Sequence, residues 1–293
     1  MEPHNYTALV TDDSFELWGP VQDPERAIDA AAKVAGLPVN KGKMNYALLG
    51  GGFGRKGLPD YVIQAVQIAK AMKGTPVKML WTREETTRHG FYRPSTLAKL
   101  VGGLDAAGNL NAWTYRIVAQ SPLGFMSWAG AEVLLYVVPN VTVDFSLRNT
   151  HVPLGPFRGV GYTQNCFFHQ CFLDELAVVA GKDAYTFQRG LLDPDKIPAN
   201  ADNRDDKVRK TANIRRVMDE VVKKAEWTKP LGPNRGRGLA IEEEAGSHVG
   251  VVVEVTLDGV GWFKVDRVVI AADTGYLVNP DNATSQLEGS VAF

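Results

Sequence analysis

A glycine-rich loop between a predicted strand and a predicted helix constrains the fold of this chain more than any other feature. Residues 50–57 read Gly-Gly-Gly-Phe-Gly-Arg-Lys-Gly, directly after a strand predicted over residues 44–49. A helix is predicted to begin near Pro59 and Asp60, because proline and acidic residues are typical of a first helical turn. Glycine lets a backbone approach a ligand closely and leaves N–H groups free to bind it. The loop therefore predicts a ligand-binding turn within an α/β fold.

Strands and helices alternate on both sides of this loop. Strands are predicted over residues 6–10, 15–18, 44–49, 77–81, 96–104, 110–120, 141–147, 239–243, 249–257 and 263–272. Helices are predicted over residues 24–35, 60–73, 165–180, 183–192, 213–227 and from residue 286 onward. The polar stretch over residues 193–210 is typical of a linker. We therefore predict a mixed α/β chain with one subdomain over residues 1–200 and a second over residues 201–293.

Two other interpretations of the glycine loop stay open at this point. Gly52 to Gly57 also match G-x-G-x-x-G, and a preceding strand and a following helix are the context of a dinucleotide-binding turn. A Rossmann-like NAD or FAD site is weakened because the predicted helix begins beyond Gly57 and a long β-hairpin follows. Arg55 and Lys56 would also crowd a pyrophosphate. A purely structural glycine turn is the other alternative.

A second loop carries one arginine among prolines and glycines. Residues 153–161 read Pro-Leu-Gly-Pro-Phe-Arg-Gly-Val-Gly, with Arg158 near the centre. Such a loop is rigid, and it would present the Arg158 guanidinium to an anionic or oxygen-rich group. A salt bridge to a neighbouring loop is the simpler alternative. Farther along, Gln286 lies where the chain enters a helix after Asn279 and Pro280, and helix N-termini bind anions.

Composition and residue spacing exclude several classes of site. The two cysteines, Cys166 and Cys171, are too few for a disulfide framework or for an iron–sulfur cluster, which needs about four thiolates. The five histidines are scattered and give no metal-ligand spacing. His89 lies among charged residues, which is typical of a surface histidine, and a catalytic role is the alternative. The net charge of −1 does not attract nucleic acid, and no apolar run is long enough to span a bilayer.

Six short motifs occur together in one order, and their combination is more specific than any one of them. They are, in chain order, residues 1–3 (MEP), 50–54 (GGGFG), 88–94 (RHGFYRP), 157–161 (FRGVG), 173–177 (LDELA) and 278–289 (VNP, then QLEG). This set resembles the molybdopterin-binding large subunit of the xanthine dehydrogenase/aldehyde oxidase family, in particular the isoquinoline 1-oxidoreductase β-subunit type. The resemblance covers essentially the whole chain.

The resemblance implies a molybdenum-cofactor-binding fold of two α/β subdomains. A molybdopterin cytosine dinucleotide would lie between them, and its own dithiolene sulfurs would hold the metal. The residues to which the resemblance assigns cofactor contact are Gly51, Gly52, Phe53, Gly54, Arg158, Gly159 and Gln286. The implied reaction is hydroxylation of an aldehyde or N-heteroaromatic carbon, with oxygen from water and a glutamate as base. Electrons would leave through iron–sulfur clusters on a small partner subunit, because this chain lacks the cysteines for them.

The chain also departs from the family pattern. The family's glutamate base lies in a Gly-Glu segment near the subunit's C-terminus, and this sequence contains no Gly-Glu dipeptide, so no catalytic residue is assigned. Met1 aligns with an interior methionine, and residues 291–293 are apolar within a predicted helix that has barely begun. We therefore expect an internal fragment truncated at both ends. A non-catalytic fragment or half of a split subunit stays an alternative, and the sequence chooses neither a substrate nor a cytoplasmic or periplasmic location.

Overall fold

The computed structural model describes residues 1–124, 126–131 and 135–292. The chain divides into two units. The first unit comprises Met1–Ser95, Ala119–Ser127 and Leu147–Val160. The second unit comprises Thr96–Val118, Trp128–Ser146 and Gly161–Phe293. The subdomain boundary predicted near residue 200 is a different division of the chain, and it stays a prediction.

The described residues of the first unit form a four-stranded sheet and three helices. Its strands are β1 (Asn5–Val10), β2 (Phe15–Gly19), β3 (Gly42–Tyr46) and β4 (Val77–Leu80). The sheet order is β3-β2-β1-β4, with β1 antiparallel to both of its neighbours and β2 parallel to β3. Its helices are α1 (Pro24–Ala35), α2 (Asp60–Ala71) and α3 (Arg83–Arg88). Helix α1 connects β2 to β3, because two parallel strands need a crossover rather than a tight turn.

One apolar core joins this sheet to α1 and α2. Alternate residues of β1 are buried, so a single face of the strand packs against the helices. The buried residues of these three elements are Tyr6, Ala8 and Val10 of β1, Ala27, Ala31, Ala32 and Ala35 of α1, and Tyr61, Val62, Ala65, Val66 and Ala69 of α2. All four buried residues of α1 are alanines, as are two of the five in α2, and these small side chains let the helices and the sheet approach closely. This packing fixes the segments that flank the glycine loop.

Helix α1 has the predicted bounds, residues 24–35. The Asp23 carboxylate accepts a hydrogen bond from the Arg26 N–H at 3.0 Å, and Pro24 occupies the first helical turn. Gly36 ends the helix in the left-handed conformation, with φ at 79°. Local capping chemistry therefore sets both boundaries.

In the second unit, the part of the chain that the structure describes forms two three-stranded sheets. Its elements are β5 (Thr96–Leu104), β6 (Leu110–Ala119), β7 (Asn140–Leu147), α4 (Tyr162–Val179), α5 (Ala184–Leu191), α6 (Arg204–Lys224), β8 (Arg235–Glu244), β9 (Ser247–Leu257), β10 (Phe263–Asp273) and α7 (Pro280–Ala292). One sheet has the order β5-β6-β7 and the other the order β10-β9-β8. Gly250 of β9 lies against α6, where an added Cβ would come within 3.1 Å of Val221 and 3.3 Å of Val217. Both units mix helices with strands, which confirms the α/β prediction.

Several predicted bounds were wrong, and one helix was not predicted. The strand predicted over residues 44–49 ends at Tyr46, because its partner β2 ends at Gly19 and offers no further pairing. Residues 204–210 belong to α6 rather than to a linker, since its first turns carry many exposed polar side chains and were mistaken for loop. Helix α7 begins at Pro280, six residues before the predicted start, so residues 291–292 belong to a formed helix. The six-residue helix α3 was not predicted. Phe293 lies outside the described residues.

Within the described part of the chain, no helix combines the length and the apolar character needed to cross a membrane.

Candidate functional site

The glycine loop is a tight, internally hydrogen-bonded turn. Three positions of the loop have positive φ, namely 86° at Gly51, 52° at Phe53 and 95° at Gly54. The Arg55 N–H donates to the Gly52 carbonyl at 2.9 Å, and the Gly57 N–H donates to the Gly54 carbonyl at 3.0 Å. These bonds fold the end of the loop into a short 3₁₀ turn before α2 begins. The loop therefore has one defined conformation. Most residues other than glycine would adopt its left-handed positions only at a cost in free energy.

Backbone atoms approach Gly54 closely, so its position requires glycine, whereas at Gly52 the contacting atoms belong to the flexible Gln22 side chain. A Cβ at Gly54 would lie 2.6 Å from the backbone oxygen of Pro156. A Cβ at Gly52 would collide with the side-chain oxygen of Gln22. That same oxygen accepts a hydrogen bond from the Gly54 N–H at 2.9 Å. The loop is thus packed between the segment before α1 and the loop that contains Pro156.

The backbone of this loop offers hydrogen-bond donors that the described residues do not use. Within the described ranges, the N–H groups of Gly51 and Gly52 make no hydrogen bond to another residue. Gly52 is also buried. An unpaired backbone N–H in a buried position is costly, so such a group is normally satisfied by a ligand or by water. Successive amides of this kind fit an anionic or oxygen-rich group.

Arg55 and Lys56 face acidic residues of the protein itself. The Arg55 guanidinium forms two hydrogen bonds with the Asp60 carboxylate, at 2.7 and 2.6 Å. Lys56 forms an ion pair with Glu2 and is fully buried. Burial is the main cause that lowers the pKa of the Lys56 ammonium, against the hydrogen bond with Glu2. Both cations therefore anchor the loop to its surroundings.

The loop with Arg158 lies beside the glycine loop in the first unit. The Arg158 guanidinium carbon lies 6.0 Å from the centroid of the Phe53 ring. Two neighbouring positions are left-handed, with φ at 85° for Gly159 and 46° for Val160. The structure therefore brings six of the seven predicted cofactor residues together in one unit. The seventh, Gln286, is exposed on α7 of the second unit, and its role stays a prediction.

Arg93 holds the Arg158 loop in place. It donates to the carbonyl oxygen of Arg158 at 2.8 Å and to that of Val160 at 3.3 Å. Its guanidinium also lies 4.3 Å from the centroid of the Phe157 ring. Burial lowers the pKa of Arg93. The sequence motif around residues 88–94 indicated family membership, but only the structure shows what its arginine contacts.

The dinucleotide interpretation is not supported by this geometry. In that fingerprint the third glycine permits close packing of the helix on the strand. Gly57, the corresponding position here, precedes α2 by three residues, and a Cβ added to it would meet no atom within 4 Å. The strand before the loop, β3, also does not pair with β4, the strand that follows α2. The glycine loop is therefore a different kind of turn.

His4 was not singled out by the sequence, yet it lies buried beside the loop anchors. Its ring centroid lies 4.9 Å from that of Tyr61 and 5.0 Å from that of Trp81. Burial, followed by the nearby charge of Arg55, lowers the pKa of His4 to about 4. His4 is therefore neutral at physiological pH and belongs to the aromatic packing under the loop. No sequence signal distinguishes such a histidine, because its burial depends on contacts across the whole unit.

The other titratable side chains that the structure describes do not form a metal site. His89 is exposed, and its Nε2 lies 3.0 Å from the Glu85 carboxylate, as expected for a surface histidine. Burial raises the pKa of the Glu242 carboxyl to about 7. Within the described ranges, no three histidine, cysteine or acidic side chains come together in a way that could hold a metal ion.

Comparison with known families assigns the chain to one of them. Residues 1–190 match the model of the molybdopterin cofactor-binding domain. This match covers more than half of the chain. The chain therefore belongs to the molybdopterin cofactor-binding domain family, as its motifs and the two neighbouring loops indicated.

Curated relatives extend this likeness over the rest of the sequence. The chain is 29% identical to the membrane-bound aldehyde dehydrogenase [pyrroloquinoline-quinone] of Gluconacetobacter polyoxogenes, over all of this chain and 41% of that protein. It is 26% identical to the isoquinoline 1-oxidoreductase subunit beta of Brevundimonas diminuta, over 99% of this chain and 37% of that protein. The chain thus spans about two-fifths of the length of these relatives.

Solved structures share the fold. Quinoline 2-oxidoreductase from Pseudomonas putida 86 superposes with a TM-score of 0.64 at 20% identity, covering 85% of this chain and 34% of that one. The aldehyde oxidoreductase from Desulfovibrio gigas superposes with a TM-score of 0.64 at 19% identity, covering 90% of this chain and 30% of that one. At this identity the likeness concerns the fold. Together with the family match over residues 1–190, it confirms the predicted fold class.

Proposed function

We propose that this chain supplies a cofactor-binding part of a molybdenum hydroxylase that oxidises an aldehyde or an N-heteroaromatic compound with water as the oxygen source. Membership of the molybdopterin cofactor-binding domain family supports the cofactor class. The names of the relatives, an aldehyde dehydrogenase and an isoquinoline 1-oxidoreductase subunit, support the substrate classes. Because the chain spans about two-fifths of those relatives, the activity is proposed for the whole protein and the binding role for this chain.

The observation that carries this proposal is the pair of unused backbone donors in the glycine loop. The N–H groups of Gly51 and Gly52 are held in a fixed turn with no partner among the described residues. We assign them to the cofactor, with Phe53 and Gly54 completing the turn. Donors held in place before binding lose little freedom when a ligand arrives, so they favour tight binding.

The remaining predicted residues would complete the cofactor site. Arg158 would offer a guanidinium to an anionic or oxygen-rich group, and Gly159 permits the left-handed turn that follows it. Gln286, on a helix of the second unit, would supply an amide. We place residues 1–200 in a first cofactor-binding subdomain and residues 201–293 in a second, a division that the family match over residues 1–190 supports.

The cofactor form that we propose is molybdopterin cytosine dinucleotide. When bound, its molybdenum centre supplies two-electron oxidation of a carbon centre. The chain's own part is to bind and orient that group. A small iron–sulfur subunit is the proposed partner and electron acceptor, because two cysteines in this chain are too few to hold a cluster.

The test is the cofactor content of the purified chain. Residues 1–293 would be co-expressed with a small two-cluster iron–sulfur subunit, and molybdenum, pterin and cytidine monophosphate would be measured per chain. We expect close to one of each. The variant Arg158→Ala should contain several-fold less molybdenum, whereas Arg88→Ala, which changes an exposed arginine outside both loops, should match the wild type.

Other contents of the purified protein would contradict the proposal. A folded chain without molybdenum, in the presence of its partner, would show that these loops do not bind the cofactor. Recovery of a quinone instead of a pterin would favour the cofactor named for the Gluconacetobacter relative. Recovery of guanosine monophosphate or of no nucleotide would retain molybdopterin and reject only the cytosine form.

A further inference from the structure

Lys56 is a fully buried lysine at the end of the glycine loop. No part of its side chain is exposed, and its Nζ forms an ion pair with the Glu2 carboxylate. Among the described residues, no other carboxylate forms an ion pair with Lys56. A buried ammonium that lost its counter-charge would be strongly destabilising, so the fold depends on this pairing.

Glu2 also holds the beginning of the same loop. Its backbone N–H donates to the Gly50 carbonyl oxygen at 2.9 Å. A Cβ added to Gly50 would come within 2.7 Å of the Glu2 carboxylate, so side chain and loop are in close contact. One residue therefore contacts both ends of the loop, and the unused N–H groups of Gly51 and Gly52 lie between those two points.

The electrostatics of Glu2 are consistent with an ionised partner for Lys56. Burial is the largest single influence on the Glu2 carboxyl, and it opposes ionisation. The hydrogen bonds with Lys56 and with the Gly50 backbone, together with the Lys56 charge, outweigh burial and lower the pKa. Glu2 is therefore a carboxylate at neutral pH.

We infer that Glu2 is a positioning residue for the glycine loop. By contacting Gly50 and Lys56 together, it keeps the loop in the conformation that leaves the Gly51 and Gly52 N–H groups available to an anionic or oxygen-rich ligand. The ligand's identity rests on the proposed function, whereas the effect of Glu2 on the loop does not. The two sequence motifs at residues 1–3 and 50–54 thus contact each other through Glu2 and Gly50.

The test removes both charges at once from the full chain. In the double variant Glu2→Gln/Lys56→Met, no buried charge is left alone, so the global urea midpoint should stay close to wild type. Hydrogen exchange should be about tenfold faster at the Arg55 and Gly57 amides, which bond to the Gly52 and Gly54 carbonyls inside the loop. Molybdenum per chain in the complex with the iron–sulfur subunit should also fall.

A matched control uses an ion pair of the same unit away from the loop. Lys43 and Glu16 are paired at 2.7 Å, and Lys43 is largely exposed, so Glu16→Gln/Lys43→Met should leave loop exchange unchanged. The single variant Glu2→Asp retains the charge but shortens the side chain, and it should give an intermediate exchange rate. If the double variant does not fold, the exchange rate of Glu2→Asp tests the positioning role by itself.

The two proposals fail in different ways. Wild-type exchange at Arg55 and Gly57 in both Glu2 variants would overturn the positioning role. Faster exchange with an unchanged molybdenum content would overturn its link to ligand binding. Faster exchange in a chain whose wild type contains no molybdenum would support the positioning role while rejecting the proposed function.

Discussion

At the residue scale, the glycines of the loop have unequal structural roles. Gly54 has φ at 95°, and a side chain there would meet the Pro156 backbone oxygen at 2.6 Å. Gly57 has no such φ, and a Cβ added to it would meet nothing within 4 Å. The sequence presents both as members of one glycine run. Only at Gly54 do the φ angle and the neighbouring Pro156 backbone require glycine.

We therefore predict opposite outcomes for alanine at these two positions. Gly54→Ala should lower the free energy of unfolding by about 2–3 kcal/mol, because the left-handed conformation and the backbone collision both disfavour a Cβ. Gly57→Ala should change it by less than about 0.5 kcal/mol. Urea unfolding followed by circular dichroism measures both. Equal destabilisation by the two variants would contradict the loop geometry and would favour the dinucleotide interpretation again.

At the element scale, Arg93 connects the segment after α3 to the Arg158 loop. Its planar guanidinium reaches two carbonyl oxygens of that loop and stacks on Phe157. The loop needs such support because Val160, a β-branched residue, has φ at 46°. A strained backbone conformation of this kind persists only where its surroundings hold it.

The prediction at this scale concerns Arg93→Lys. An ammonium on a flexible stem cannot reproduce the planar fork, so we expect a loss of about 1–2 kcal/mol of unfolding free energy. Cofactor content should fall in the same variant, since Arg158 would be less well placed. Thermal melting and molybdenum analysis provide the measurements, with Arg88→Lys as the control. If Arg93→Lys melts and binds molybdenum like the wild type, Arg93 does not support this loop.

At the scale of the whole molecule, each unit contains a buried neutral histidine. Burial lowers the pKa of His169 to about 4, and burial together with the charge of Arg55 lowers that of His4 to about 4. Each ring has an Nε2 without a hydrogen-bond partner in the described part of the chain. Unfolded histidine binds a proton at about pH 6.5, whereas these two resist protonation until far lower pH.

Stability should therefore depend on pH in a defined window. Between about pH 6.5 and about pH 4 the unfolded chain binds more protons than the folded chain, so unfolding free energy falls as the pH falls. Each histidine contributes on the order of 3 kcal/mol across the whole window. Urea midpoints at pH 7 and pH 5 measure the slope. His4→Leu and His169→Leu should each flatten it, whereas exposed His89→Gln should not, and equal slopes in all three variants would refute the assignment.

The sequence alone determined many helix and strand positions, because these depend on residues close together along the chain. The capping residues Asp23 and Gly36 set the ends of α1, and alternating apolar residues located β1. The glycine run and the arginine loop were recognised as the candidate site because glycines and prolines a few positions apart indicate their backbone conformation. The family followed from the order of six motifs. The starts of α6 and α7 were misplaced because exposed polar first turns resemble loop.

The tertiary structure decided how distant residues complete the site. The sequence shows Arg55 and Lys56 as cations beside a possible anion site, but the fold pairs them with Asp60 and Glu2. It also buries His4 and places Arg158 near Phe53. These contacts join segments that lie far apart along the chain, and they form only when sheet register and helix packing bring those segments together. Local propensity contains no information about contacts between distant segments. The sequence therefore determined which loops could bind a cofactor, and the packing determined which residues fix the conformation of those loops.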